Sequence, residues 1–242
     1  MGANTRAKVI SFGLKGNTNI SSKVLENDIS GLTLEINGHE MTSRLVGRFN
    51  AYNLLVAFAV GKYLGQDELS LLTILSSVKA PQGRFEYFLS DHKITAVIDY
   101  AHTPDALENV LKTLLDLKKG TEKLITVFGC GGNRDKGKRP LMGEIASRLS
   151  DQVLITSDNP RNEDPDSIIN EIYHGVPSVL KEKVFTVNDR MEAIEMACKM
   201  ASAGDVILIA GKGHENYQII GNESLHFDDM ENTIHIFKKL KK

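Results

Sequence analysis

The chain has 242 residues, 41% hydrophobic and 25% charged, with a formal net charge of -2. That balance suits a globular protein of one large or two small domains, and it excludes recruitment of a polyanion by bulk charge. Cys130 and Cys198 stand far apart without metal-ligand company, no apolar run could span a bilayer, and residues 1–6 carry neither a leader core nor a myristoylation signal. A cytoplasmic protein in a reducing compartment is expected.

The first stretch reads as β-rich, with short strands at 9–12, 32–36 and 41–45 and an Asn37-Gly38 hairpin turn between the last two. Helices follow at 51–63, with Leu54, Leu55, Phe58 and Ala59 on one face, and at 67–77. Pro81-Gln82-Gly83 breaks the chain, and a boundary is expected near 88–92, dividing 1–88 from 89–242. Beyond it, strands at 96–100, 124–128, 153–156, 184–187 and 206–210 alternate with helices at 105–117, 141–149, 166–173 and 189–200. Asp189 is placed to cap the last of these. Such alternation predicts an α/β fold with a doubly wound, mostly parallel sheet. The lysine-rich end at 238–242 reads as an exposed, frayed tail.

In that sheet the loops at 99–104, 129–139, 158–164 and 211–217 gather along one edge, where open α/β sheets bind ligands. Asp158-Asn159-Pro160-Arg161 suits a zwitterion: Arg161 can fork onto a carboxylate, while Asp158 and Asn159 can accept from an ammonium. An ordinary turn with a solvated arginine is the bland account. The glycine-rich loop at 129–139 nearly spells a phosphate loop, but Arg139 stands where Ser or Thr must ligate magnesium. An anion site strengthened by Arg134, Lys136, Lys138 and Arg139 remains open, as does a solvated basic turn. Gly211 and Gly213 let a backbone approach a ligand, and Glu215 could receive an ammonium. Asp99 and His102 could ligate a metal, although a hydrogen-bonded loop support is the commoner use. Asn50 and Asn53 lie one helical turn apart and suit a nucleobase edge, or Asn50 simply caps its helix. Arg84 follows Gly83 in a turn suited to phosphate or ribose.

Taken together, Asp99-Tyr100-Ala101-His102-Thr103-Pro104, the 129–140 loop, Asp158-Asn159-Pro160-Arg161, Gly211-Lys212-Gly213-His214-Glu215, the upstream 47–53 block and Phe227-Asp228-Asp229 closely resemble the Mur ligases. Among these they are most similar to the UDP-N-acetylmuramoyl-tripeptide synthetases, which add the third residue of the peptidoglycan stem peptide. The resemblance runs through nearly the whole chain. It implies a Rossmann-like amino-acid-binding domain at 89–242, preceded at 1–88 by the strand and helix tail of an ATP-binding central domain. It also implies ATP-dependent, magnesium-assisted amide bond formation through an acyl phosphate on UDP-MurNAc-L-Ala-D-Glu. Arg134, Asp158, Asn159, Arg161, Gly211 and Glu215 would then hold the incoming amino acid. Asn50, Asn53, Arg84, Asp99 and His102 would surround ATP. The Asp-Asn-Pro-Arg form resembles the version selecting meso-diaminopimelate. A lysine-adding ligase of the same family, or a non-catalytic amino-acid or nucleotide-binding module, are the alternatives.

The family's phosphate loop, its carbamylated lysine and its UDP-binding domain have no counterpart in the sequence. The chain is therefore expected to join the family pattern partway through the central domain. It should lack activity alone, with no catalytic residue or metal ligand of its own and no stably bound ATP or magnesium. Its expected partners are small molecules, not nucleic acid or membrane.

Overall fold

The computed structural model describes residues 5–118 and 120–242; residues 1–4, where the expectations about the start of the chain fall, lie outside the described residues. The chain divides into two compact units, Met1–Ala80 and Pro81–Lys242.

In the first unit β1 (Phe12–Gly13), β2 (Ile20–Asp28), β3 (Gly31–Ile36) and β4 (His39–Ser43) form a sheet in that order. β1 runs parallel to β2, and the other pairs are antiparallel. Asn37 and Gly38 take φ values of 50° and 86° and turn β3 into β4, with Leu34 opposite Met41. Two positive φ angles in a two-residue loop match the twist of the strands they join. α1 (Arg48–Tyr63) and α2 (Glu68–Ser76) share with the sheet a core of Leu32, Leu34, Ile36, Leu54, Leu55, Phe58, Leu72 and Leu75. Each such side chain contributes roughly 1.5–3 kcal/mol by leaving water. α1 is capped at Gly47 rather than Asn50, whose own N–H already bonds Gly47 O at 2.9 Å.

The second unit starts at the Pro81-Gln82-Gly83 break, earlier than the expected boundary near 88–92. The reason is β5 (Glu86–Leu89), which pairs antiparallel with β6 (Thr95–Asp99) and so belongs to the second sheet. The chain continues through α3 (Pro104–Leu117), β7 (Leu124–Phe128), α4 (Lys138–Leu149), β8 (Gln152–Thr156) and α5 (Pro165–His174). A 3-10 turn (Ser178–Lys183) leads to β9 (Val184–Val187), α6 (Arg190–Met200) and β10 (Val206–Ala210). The hairpin β11 (Tyr217–Ile220) and β12 (Glu223–His226) and the helix α7 (Asp229–Leu240) complete the unit.

The six-stranded sheet has the order β5-β6-β10-β7-β8-β9, parallel throughout except for β5. Leu208 of β10 sits between Val97 of β6 and Thr126 of β7. Strands covered on both faces read as unbroken apolar runs, and every residue of β7 is buried. α6 and α7 place Ala193, Ile194, Ala197, Ile236 and Phe237 against Ile98, Ile125, Leu154, Ile207 and Ile209. α3, α4 and α5 pack on one another in series. Thr103, Asp164 and Asp189 cap α3, α5 and α6 by accepting from the N–H groups of Ala106, Ser167 and Glu192. Each cap is worth about 1 kcal/mol and fixes where a strand-end loop stops. Because β10 is the last strand of this sheet in sequence yet lies between β6 and β7, the winding reverses there, and ligands of such sheets bind beyond the strand ends at that reversal.

The end of the chain is docked rather than frayed. The Lys242 ammonium donates to Cys198 O at 3.1 Å, Lys199 O at 3.0 Å and Ala201 O at 2.8 Å, satisfying carbonyls at the C-terminus of α6. Among the described residues no helix is long and apolar enough to cross a membrane.

Candidate functional site

β10 delivers its chain to Gly211, whose φ of 115° few other residues adopt. This turn sends Lys212 inward, with its side chain fully buried. Its Nζ donates to Tyr217 O at 2.7 Å and Asn159 Oδ1 at 2.9 Å, and lies 3.4 Å from Asp158 Oδ1 and 3.9 Å from Glu215 Oε2. Burial pushes the ammonium below the usual lysine range, opposed first by the Asp158 carboxylate.

Asn159 Oδ1 also accepts from Ile219 N at 2.9 Å, and its Nδ2 donates to Glu215 Oε2 at 2.8 Å. The two acceptor positions of the amide oxygen are thus filled from within. This corrects the expectation that Asn159 accepts from a ligand ammonium. Asp158 Oδ1 is buried without a hydrogen-bond partner. The structure therefore assembles Asp158, Asn159, Gly211 and Glu215 as the sequence suggested, around a lysine the sequence reading gave no role. The available signal was a cation set between two glycines directly after a wholly apolar strand.

Arg161 has φ 52°, a left-handed conformation disfavoured for a long side chain. It is held there by Arg161 N donating to Ile219 O at 3.1 Å and Gly221 N donating to Arg161 O at 2.7 Å. Its Nη1 donates to Gly132 O at 3.0 Å and Asn159 O at 3.4 Å, which fixes one edge of the guanidinium; among the described residues nothing is bonded to its Nε or Nη2. A Cβ on Gly131 would stand 2.9 Å from Arg161 Nη1 and 3.6 Å from Arg134 Cγ, so the two arginines flank this glycine. Arg134 is exposed, and among the described residues nothing pairs with its guanidinium.

The other cations of the 129–139 loop are committed, which corrects the expectation that four of them strengthen an anion site. Lys138 Nζ donates to His102 O at 2.6 Å. Lys136 pairs with Glu163 at 3.2 Å. Arg139 is buried and bonds Glu163 at 3.0 and 3.1 Å and Glu171 at 2.7 Å. The Arg139 guanidinium, followed by the Asn133 N–H, holds the Glu163 carboxyl down at about 2.

Asp99 accepts from Phe85 N and Ala101 N, both at 2.8 Å, and burial raises its pKa against those amides. Both oxygens thus tie loops together. The Tyr100 ring lies 4.7 Å from the Arg84 guanidinium, 4.6 Å from the His102 ring and 5.0 Å from the His214 ring. His102 Nδ1 is 2.8 Å from Tyr100 O. Asn50 and Asn53 belong to the first unit, where Asn53 Nδ2 donates to Asn50 Oδ1 at 3.0 Å and Asn50 Nδ2 donates to Val46 O at 2.8 Å.

Beneath the cage lies a second buried pair that the sequence reading missed. Arg190 Nε and Nη2 donate to the two carboxylate oxygens of Asp229, each at 2.8 Å, and both side chains are fully buried. Nη2 also donates to Ala210 O at 3.1 Å and Nη1 to Ser157 O at 3.4 Å. Those carbonyls immediately precede Gly211 and Asp158.

The carboxyl edge of this doubly wound α/β sheet thus gathers charges of both signs around Lys212. A family model for the Mur ligase glutamate ligase domain matches residues 83–213, more than half of the sequence, and the chain belongs to the Mur ligase family. It is 50% identical over 226 residues to the UDP-N-acetylmuramoyl-L-alanyl-D-glutamate--2,6-diaminopimelate ligase of Cytophaga hutchinsonii, covering 93% of this chain and 46% of that protein. With the ligase of the same name from Bacteroides fragilis it shares 48% identity over 237 residues, 98% of this chain and 49% of the relative. A solved structure of an enzyme of that name superposes with a TM-score of 0.72 at 36% identity, over 97% of this chain and 48% of the other. A folylpolyglutamate synthase from Thermotoga maritima shares the fold, with a TM-score of 0.62 at 21% identity over 79% of this chain and 43% of that one. The chain spans about half the length of the curated relatives it matches.

Proposed function

We propose that this chain supplies the amino-acid-binding part of an ATP-dependent amide ligase that joins meso-diaminopimelate to the D-glutamate carboxylate of UDP-MurNAc-L-Ala-D-Glu. The observation that carries the reading is the charge layout at the sheet edge. Arg161 and Arg134 offer guanidinium edges to carboxylates, and Asp158 and Glu215 stand ready for an ammonium. A bidentate guanidinium suits the second carboxylate of diaminopimelate. L-lysine would leave that partly desolvated donor unpaired, a cost of about 1–3 kcal/mol and hence roughly tenfold or more in discrimination.

The family match over residues 83–213 supports a division of labour in which the second unit, from Pro81 on, reads the amino acid and the first unit belongs to the ATP-binding domain. The exposed Arg84 guanidinium beside Tyr100, with His102 near it, has the donors and aromatic surface a nucleotide needs. Arg84, Asp99 and His102 of the second unit are the residues proposed to serve ATP. When bound, ATP supplies the phosphoryl group that activates the carboxylate. Among the described residues no three His, Cys, Asp or Glu side chains are grouped to hold a metal ion. The chain's own residues orient the acceptor, so that the attacking amine meets the activated carbonyl with its translational freedom already spent.

Calorimetric titration of the chain with meso-diaminopimelate and with L-lysine tests the reading. Diaminopimelate should bind at least tenfold more tightly. The reverse preference would identify a lysine-adding ligase, and binding of neither would remove the acceptor site altogether.

A further inference from the structure

Resting on that acceptor reading, we infer that Lys212 is a positioning residue for the incoming amino acid: its buried ammonium orients Asn159 and serves as the fixed counter-ion of Asp158 and Glu215. Three observations carry this. The first is the way its ammonium is committed. Asn159 Oδ1 and Tyr217 O accept two of its three N–H bonds, and Asp158 Oδ1, which is buried without a hydrogen-bond partner, lies 3.4 Å from it as an ion-pair partner.

The second is the direction in which Asn159 is forced. An amide can present either end to its surroundings. Lys212 Nζ and Ile219 N are both donors and demand the oxygen, so the Nδ2 end must point at Glu215. Lys212 thereby acts on Glu215 through Asn159 as well as across the 3.9 Å gap between their charges.

The third is the backbone built to deliver this side chain. Gly211 and Gly213 on either side take φ 115° and 54°. A Cβ on Gly213 would come within 2.6 Å of Gly83 O and 2.7 Å of Tyr100 Cβ. Such a turn has no use on a solvated loop, where lysine is ordinarily exposed.

The charges around Lys212 come from several elements: Asp158 after β8, Glu215 on its own loop, Arg190 at the start of α6 and Asp229 at the start of α7. Removing the ammonium leaves two carboxylates sharing a confined site next to one fewer cation, an arrangement that favours protonating one of them. The variant should therefore lose affinity for a substrate ammonium, and lose it further as the pH falls.

Lys212→Met keeps the stem and removes the charge. Titration of wild type and variant with meso-diaminopimelate across the neutral and mildly acidic range should show at least tenfold weaker binding by the variant, with a steeper loss toward low pH. A folded variant with wild-type affinity and an unaltered pH profile overturns the proposal, since a merely structural lysine would change melting but not that profile. If the variant does not fold, the 15N resonance of the Lys212 ammonium in the wild-type chain decides instead. It should exchange slowly and shift as diaminopimelate is added. A resonance indifferent to saturating diaminopimelate removes the role. Failure of the wild type to bind diaminopimelate at all removes the acceptor reading and this role with it, whereas normal wild-type binding with an indifferent variant removes this role alone.

Discussion

Asp229→Ala is the substitution whose cost the structure sets most sharply. It deletes both oxygens that Arg190 holds at 2.8 Å and leaves a guanidinium with a fully buried side chain and only two backbone carbonyls for company. Stripping one partner from a buried ion pair costs about 3–5 kcal/mol, because the remaining charge stays out of water. In a unit of this size each kcal/mol lowers Tm by roughly 2–4 °C, so the melt should fall by roughly 6–20 °C. Glu144→Ala is the control: its Arg148 partner is 60% exposed and the pair sits one helical turn apart. Such surface pairs are worth about 0.3–0.5 kcal/mol. Thermal and urea melts followed by circular dichroism compare the two. A loss from Asp229→Ala within about 1 kcal/mol of the control would show that Arg190 rehydrates or re-pairs, and would refute the argument that burial sets the cost.

Gly131→Ala and Gly132→Ala should separate function from folding. The first Cβ meets only the tip of Arg161, at 2.9 Å, and should weaken diaminopimelate binding while leaving the melt near wild type. The second meets Pro160 O at 1.9 Å and should destabilise the unit, so equal melts for the two would contradict the contact geometry. Glu163 has a folded pKa of about 2 against an ordinary 4.5. A depressed carboxyl adds stability that is full above the ordinary value and disappears as the pH falls through the folded one. The gap in Tm between wild type and Glu163→Gln should therefore be widest above pH 4.5 and close toward pH 2, and a constant gap would count against the linkage. Burial pushes the Cys130 and Cys198 thiols up to about 12, so neither should react with a disulfide reagent at neutral pH until the chain is denatured. Native labelling at the denatured rate would refute that.

The parallel strands were legible because strands buried on both faces leave little room for polar residues, as in 124–128 and 206–210. The strand-end loops followed from the same pattern, and with them Asp158, Arg161, Gly211 and Glu215. β2 escaped because much of it faces solvent and a bulge between Val24 and Glu26 breaks its alternation. The β11–β12 hairpin escaped although Gly221-Asn222, with Gly221 at φ 59°, is a recognised two-residue turn. Its strands are too exposed to show an apolar face. α7 was hidden by its lysines, yet Thr233, Ile236 and Phe237 recur at helical spacing and Asp228 caps the start. Lys212 and the Arg190–Asp229 pair could not be foreseen from local pattern. A buried charge depends on partners dozens of residues away, and no periodicity records that distance.

The position of β10 has a consequence for how the domain comes to be made. Residues 95–128 supply β6 and β7, but these strands do not touch; the slot between them waits for 206–210. During synthesis the chain must carry two facing strand edges for a long stretch, with contacts of high sequence separation closing last, a pattern associated with slow folding and exposure to misassociation. The loop carrying Lys212 enters with that final strand. Assembly of the charge cluster around Lys212 and completion of the sheet are thus one event, so a chain stopped short of β10 would have neither.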